Sequence, residues 1–193
     1  MTQDRQYRTF EFRASKDGCK VDGYAATFEK PTVLYEYEGN EYKEVIDRNA
    51  FANCEMQDVV MNYNHGGKPV ARTKNGTLTL SVDDIGLHIT ADLSGTEEGR
   101  KLYDEIKGGY IDKMSFAFTV SDDEYDKKGR IRRITGIKRL YDVAAVDIPA
   151  YDSTSISARS FFEAEAEKER AEARKRKVLE QRIKLKVRLC NET

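Results

Sequence analysis

Lys113-Met114-Ser115-Phe116-Ala117-Phe118-Thr119-Val120 is the stretch on which the fold of this chain is decided. Larger apolar and smaller residues alternate along it, as they do in a β-strand, where successive side chains point to opposite faces. Met114, Phe116, Phe118 and Val120 then form a core face. Ser115, Ala117 and Thr119 form a small, polar face that leaves room for a substrate backbone to approach a hydroxyl. Ser115 is therefore a candidate nucleophile. A lone strand serine is more often a plain surface or cross-strand residue, so the neighbouring chain has to supply the partners a nucleophile needs.

Just upstream, Thr96 is placed to N-cap a helix, with Glu97 and Glu98 in the first turn near the positive end of the helix dipole. Leu102, Tyr103 and Ile106 give that helix a buried stripe, and Gly108-Gly109 stops it. Before the helix lies a hairpin pattern: Thr77 to Val82 alternates, Asp83-Asp84-Ile85-Gly86 turns, and Leu87 to Leu93 alternates back. Further upstream, strands are expected at Tyr7 to Arg13 and Val21 to Phe28, around a turn at Lys16-Asp17-Gly18. An exposed hairpin or loop is expected over Leu34 to Tyr42, and a short helical turn after Asp47 that docks Phe51 on the core. A strand over Asp58 to Asn64 delivers His65 to a Gly66-Gly67-Lys68-Pro69 loop.

Downstream of the opening strand, a charged turn at Asp122 to Arg130 leads into Ile131 to Ile137 and then Arg139 to Ile148. The last segment carries Asp142 and Asp147, whose odd separation puts them on opposite strand faces. Many strands with few helices indicate an α+β, mainly β fold, an antiparallel β barrel or sandwich with helical insertions.

The texture changes near Ser160. Residues 1–159 read as one domain, and 160–193 as a charged, helix-prone C-terminal tail. From Phe161 to Lys177 the composition is Ala, Glu, Lys and Arg without a wide apolar stripe, so a solvated helix or a disordered segment is expected rather than core. Ile183 to Leu189 alternates and suits either a strand added to a partner's edge or more helix. The tail holds ten Lys/Arg against seven Glu, a surplus that the total of -1 hides, so the body is acidic. An acidic body is no nucleic-acid footprint, and only the tail's charge would favour that class.

Three cysteines, Cys19, Cys54 and Cys190, are far apart and odd in number, which argues against a disulfide framework or a zinc site. No apolar run approaches the roughly 20 residues needed to span a bilayer, and the N-terminus has no apolar signal core, so a protein made in the cytoplasm without membrane partners is expected. Phosphate-binding glycine loops are missing as well, and no cofactor is expected.

Only two histidines are available. His88 lies inside a hairpin strand between Leu87 and Ile89 and reads as an ordinary strand residue. His65 lies where a scaffold gives way to a loop, a place where reactive groups are presented. A serine hydroxyl needs such a base within hydrogen-bond reach, and the base needs a third group to orient it. His65, Ser115 and a carboxylate meet that requirement. An esterase of small substrates would want a G-x-S-x-G elbow, which the chain lacks.

Several motifs in order resemble one family: Gly23 to Phe28, Asp47-Arg48-Asn49-Ala50-Phe51, Asn64-His65, Ala71-Arg72-Thr73 with Gly76-Thr77-Leu78, Gly86-Leu87, Lys113 to Phe118, and Asp147 to Tyr151. Over about residues 20 to 159 the sequence resembles the tailed-phage prohead proteases, serine endopeptidases of capsid maturation similar in fold to the herpesvirus assemblins. The resemblance implies Ser115 as nucleophile and His65 as general base. For the third member it implies Asp142, where the family more commonly has Glu, with Asp147 as the alternative. Two positions depart from the pattern: Gly66 replaces the usual Asp after the histidine, and Ala117 the usual Gly after Ser-Phe. The resemblance also implies cleavage of the phage major capsid protein's scaffold segment, self-cleavage and possible homodimerisation, inside the procapsid in the host cytoplasm. The basic tail would recruit the enzyme to the shell. The rival expectation is a catalytically silent capsid-assembly or scaffold-binding module.

Overall fold

The computed structural model describes residues 5–14, 18–147 and 156–191. Among these, the elements follow the order β1 (Gln6–Ala14), β2 (Lys20–Thr27), β3 (Thr32–Tyr37), β4 (Asn40–Ile46), β5 (Val60–Tyr63), β6 (Gly66–Arg72), β7 (Leu78–Val82), β8 (Gly86–Asp92), α1 (Glu97–Lys107), β9 (Lys113–Asp126), β10 (Ile131–Val146) and α2 (Ile156–Asn191), with a 3-10 turn at Thr73–Asn75. The expected turn at Lys16-Asp17 and the stretch from Ile148 to Tyr151 lie outside the described residues.

The strands pair along the path β3-β4-β10-β9-β1-β2-β8-β7, whose two end strands do not pair with each other, so no barrel closes. β1 is the corner of this path. Its residues from Gln6 to Glu11 pair with β9, and those from Phe12 to Ala14 pair with β2. The fold is mainly β with two α-helices, as expected, but it is not purely antiparallel. On one edge β10 pairs antiparallel with β9. On its other edge it takes β4 in parallel at Ile131 to Ile134, and β5 in parallel at Asp142 to Ala145.

Met114, Phe116 and Phe118 are fully buried, as the alternation of β9 requires. Phe116 and Phe118 stack at 4.6 Å, and Phe51 joins Phe116 at 6.4 Å. Phe51 arrives on a series of turns rather than on a helix, with the Asn49 N–H donating to Asp47 Oδ1 at 2.9 Å. One core cluster unites Leu87, Ile89 and Val21 with Phe116, Phe118 and Leu140, so both halves of the sheet path close over the same apolar interior. Helix α1 seals its edge as predicted. Thr96 Oγ1 accepts the Gly99 N–H at 2.9 Å, and Leu102, Tyr103 and Ile106 are buried.

The C-terminal helix departs from the expectation of a segment with no part in a core. Phe162 is fully buried and Ala166 is buried, both against Tyr42, in a small cluster that also takes in Tyr35, Tyr37, Tyr125 and Phe161. Aromatic residues on β3 and β4 present the apolar surface that a stripe count on the helix alone does not reveal. The expectation of an exposed Leu34–Tyr42 segment is corrected at the same place, because Tyr42 is the hairpin's buried anchor. Beyond Glu172 the described side chains of α2 are exposed, and Ile183 to Leu189 continues the helix rather than forming a strand.

Gly86 of β8 lies opposite Thr27 of β2. A Cβ placed there would lie 1.9 Å from the Ala26 carbonyl oxygen, a collision with backbone in a paired strand that rotamer changes cannot relieve. Gly86→Ala is expected to destabilise the protein by about 3 kcal/mol, measured as a lowered denaturant midpoint in equilibrium unfolding. An unchanged midpoint would show that the two strands separate freely here.

Candidate active site

Ser115 sits three residues into β9, between β1 and β10, on the face opposite Phe116. Across the sheet, Ser115 is level with Ala144 of β10, and Ala144 is level with Asn62 of β5. One row along, Ala117 of β9 is level with Asp142 of β10. Ser115 and Asp142 therefore share a sheet face, with only alanine side chains between their rows.

His65 reaches this face from the tip of a hairpin. Tyr63 pairs with Gly66, leaving Asn64 and His65 as a two-residue turn in which both have positive φ, 49° and 56°. Such a turn suits the twist of a hairpin but strains residues other than glycine, by about 1–3 kcal/mol each. Three contacts hold it. The Asn64 N–H donates to the Ala145 carbonyl at 2.9 Å, and the Asp147 N–H donates to Asn64 Oδ1 at 3.3 Å. The third is made by His65 itself, whose Nδ1 lies 2.6 Å from Asp142 Oδ1. The glycine-rich stretch after it is not the predicted loop: Gly66 begins β6, an edge strand in which Pro69 costs no ladder partner.

The other ring nitrogen, Nε2, lies 2.7 Å from Ser115 Oγ. With Asp142 ionised, Nδ1 carries the proton and donates to the carboxylate, which leaves Nε2 as acceptor for the serine O–H. The arrangement can move a proton from a hydroxyl to an imidazole and hold the resulting cation against a carboxylate. Ser115 and Asp142 are 1% and 6% exposed, and the His65 side chain 19%. The expected open space over the hydroxyl is thus corrected. Ser115, Ala117 and Thr119 are as buried as the core face, with His65 hydrogen-bonded to Ser115.

Asp147 is not brought to this cluster. It accepts a hydrogen bond from the Tyr63 hydroxyl at 2.9 Å, which is the first cause of that phenol's raised pKa. His88 lies on β8, edge-on to Tyr24 at 5.0 Å and 3.9 Å from Asp22. Cys54 offers no rival nucleophile, since burial pushes its thiol up to about 11 and leaves almost no thiolate at neutral pH.

Asn62 is a site neighbour that sequence reasoning missed. It is 7% exposed, shares the face of Ser115 and Asp142 by register, and its Oδ1 is buried without a partner among the described residues. A polar residue in the run Val59-Val60-Met61-Asn62 was the available signal. Its alignment with Ser115 depends on the parallel pairing of β5, which no local pattern announces.

A solved structure with a similar fold is that of the bacteriophage T4 capsid assembly protease, gp21, with a TM-score of 0.53 and 15% sequence identity over 76% of this chain and 98% of that one. Curated protein sequences gave no match. The family model of the caudovirus prohead serine proteases matches residues 8–169, all of the sheet but the first two residues of β1, and the docked start of α2. The chain thus belongs to the caudovirus prohead serine protease family, and its activity is that of a serine protease of phage capsid maturation.

Proposed function

We propose that Ser115 is the nucleophile, His65 the general base and Asp142 the group that orients it, in an endopeptidase that cleaves the scaffold segment of the phage major capsid protein and its own chain. The observation that carries this reading is the hydrogen-bond relay Asp142–His65–Ser115, with links of 2.6 and 2.7 Å. As Oγ attacks the scissile carbonyl, Nε2 takes its proton, and Asp142 remains ionised beside the imidazolium. The proton then passes to the leaving amine, and the acyl-serine ester forms as the peptide bond breaks. Water, deprotonated by His65, hydrolyses the ester and restores the hydroxyl. No cofactor enters these steps.

In the same reading the enzyme acts inside the assembling procapsid in the host cytoplasm, and residues 160–193 form an arm distinct from the catalytic domain of residues 1–159. Phe162, the Arg130–Glu169 pair at 3.1 Å and the Arg170–Glu38 pair at 2.8 Å anchor the arm's first turns. Residues 173–184, whose side chains are exposed, carry Arg174, Lys175, Arg176 and Lys177 in succession, a surface suited to an acidic partner in the shell.

Co-expression with the capsid protein, read by intact mass, tests the chemistry. Ser115→Ala and His65→Ala are each expected to lower kcat by at least about 10^4-fold, and Asp142→Asn by about 10^3 to 10^4-fold. His88→Ala serves as the histidine control and should stay within about twofold. Cleavage by the Ser115→Ala protein at the wild-type rate would end the serine assignment.

The arm is tested by truncation after Glu172, which keeps the docked turns. The shortened enzyme should cleave a free peptide normally yet fail to co-sediment with procapsids. Undiminished co-sedimentation would remove the recruiting role.

A further inference from the structure

Two guanidinium groups converge on the ring of Tyr141, the residue next to Asp142 in the chain. Arg5 lies 4.0 Å from the ring centre and Arg139 5.1 Å, distances at which a cation is drawn to an aromatic face. The strand register accounts for the meeting. Arg139 of β10 is level with Thr119 of β9, and Arg5 directly precedes Gln6, which is level with Phe118. Arg5 and Arg139 therefore flank Thr119 from the two strands beside β9, and alternation along β9 puts Thr119 on the face of Ser115. Tyr141 can meet both because it has no ladder partner, Leu140 and Asp142 taking Phe118 and Ala117. Both arginines are exposed and Tyr141 is half-buried. Among the described residues neither guanidinium has a carboxylate partner. Asp58, which feels the charge of Arg139, is taken up by Arg72 at 2.7 Å, and Glu55 faces Arg139 across a single β-bridge without forming an ion pair.

The pair lies within a short peptide's reach of the reacting hydroxyl. Ser115 and Thr119 are four residues apart on one strand, roughly 13 Å, which an extended substrate spans in about four residues. The tip of the β5–β6 hairpin is bonded to Ala145 and Asp147, at the end of β10 away from Thr119. A chain that runs along β9 from Ser115, clear of that tip, comes to the Thr119 row. Thr119 itself is inaccessible, so the exposed side chains there are those of Arg5 and Arg139. Two like charges held against one ring repel each other, and a carboxylate between them relieves the repulsion. Each planar guanidinium matches a carboxylate with two parallel N–H donors, and stacking on the ring holds the fork in place beforehand.

We propose that Arg5, Arg139 and Tyr141 form a substrate subsite that selects a glutamate or aspartate roughly three to five residues from the scissile bond. The proposal rests on Ser115 as the reacting group. It commits the arginine pair to the substrate chain itself, which must lie over this face of β9 at each turnover.

The test uses peptides spanning the cleaved junction, in which glutamate, glutamine or lysine is placed in turn at each of six positions either side of the scissile bond. They are offered to the full-length wild type and to its Arg5→Gln, Arg139→Gln, Arg139→Glu, Tyr141→Leu and Ser115→Ala variants. At one position three to five residues out, the wild type should prefer glutamate over glutamine by about 10- to 100-fold in kcat/KM, carried by KM. Arg5→Gln and Arg139→Gln should each reduce that ratio to about threefold or less, and Arg139→Glu should favour lysine at the same position. Tyr141→Leu, which frees both guanidinium groups from the ring, should lower the ratio by about two- to fivefold. Arg5 and Arg139 are solvent-exposed, so their replacement does not threaten the fold. Lys128→Gln, in the distant β9–β10 turn, serves as the charge control and should leave the ratio as it is. No glutamate preference at those positions, or one unchanged by both arginine-to-glutamine substitutions, would overturn the subsite. Cleavage by Ser115→Ala would instead overturn the nucleophile on which it rests.

Discussion

The pairing of β10 on both edges is the constraint from which the site follows. Its final residues take β9 on one side and β5 on the other, which sets Ser115, Ala144 and Asn62 in one row and Ala117 and Asp142 in the next. Strands lie about 4.8 Å apart, so the three site residues meet although 50 residues separate His65 from Ser115 and 77 separate it from Asp142. One irregularity is decisive. Leu140 pairs with Phe118 and Asp142 with Ala117, so Tyr141 is an extra residue bulged out of the ladder. In a regular ladder Asp142 would fall level with Phe116 and point into the core. The bulge turns it onto the face of Ser115, a use of β-bulges common beside active sites.

The other end of the sheet is held by different chemistry. Arg8 forms a double hydrogen bond with Glu44, Arg132 reaches both Glu44 and Asp123, and the Gln6 side-chain Oε1 accepts from both guanidinium groups. Arg8, Glu44 and Arg132 are nearly inaccessible, so their desolvation cost offsets much of the attraction, while loss of a single partner would leave a buried charge uncompensated. The network spans β1, β4, β9 and β10, and its net contribution to stability is small for its number of contacts. It also meets the C-terminal helix, because the Arg132 guanidinium lies 4.7 Å from the centre of the Phe161 ring.

Local signals in the sequence carried much of this. The alternation at 113–120, the Asp83–Gly86 turn and the Thr96 cap each rest on contacts within a few residues and are found where expected. His65 stood out by its place after a strand, and Asp142 by resemblance to the family. What stayed hidden was non-local. The parallel docking of β4 and β5, the bulge at Tyr141 and the left-handed turn at Asn64-His65 arise from sheet geometry, and nothing in the flanking residues encodes them. For the Ile183–Leu189 stretch, alternating aliphatic and basic residues fit both periods. Extending an existing helix by one bond per residue is easier than starting a lone strand, and the helical alternative is the one observed.

The length of β10 also separates the two tasks assigned to this enzyme. Arg132, beside the docked start of α2, and Asp142, in the relay, are ten residues apart along one strand, or roughly 33 Å. A partner gripping the arm beyond Glu172 therefore acts far from the hydroxyl and has no reason to crowd it. From 173 to 191 the arm is 19 helical residues, a rod of about 28 Å. Tethering of this kind raises the local concentration of a substrate segment to the millimolar range without adding a contact at the scissile bond. Where the arm tethers the enzyme as proposed, the catalytic site needs to read only a short sequence. An enzyme enclosed with its substrates has little use for tight binding at the site, which would lower KM without raising turnover.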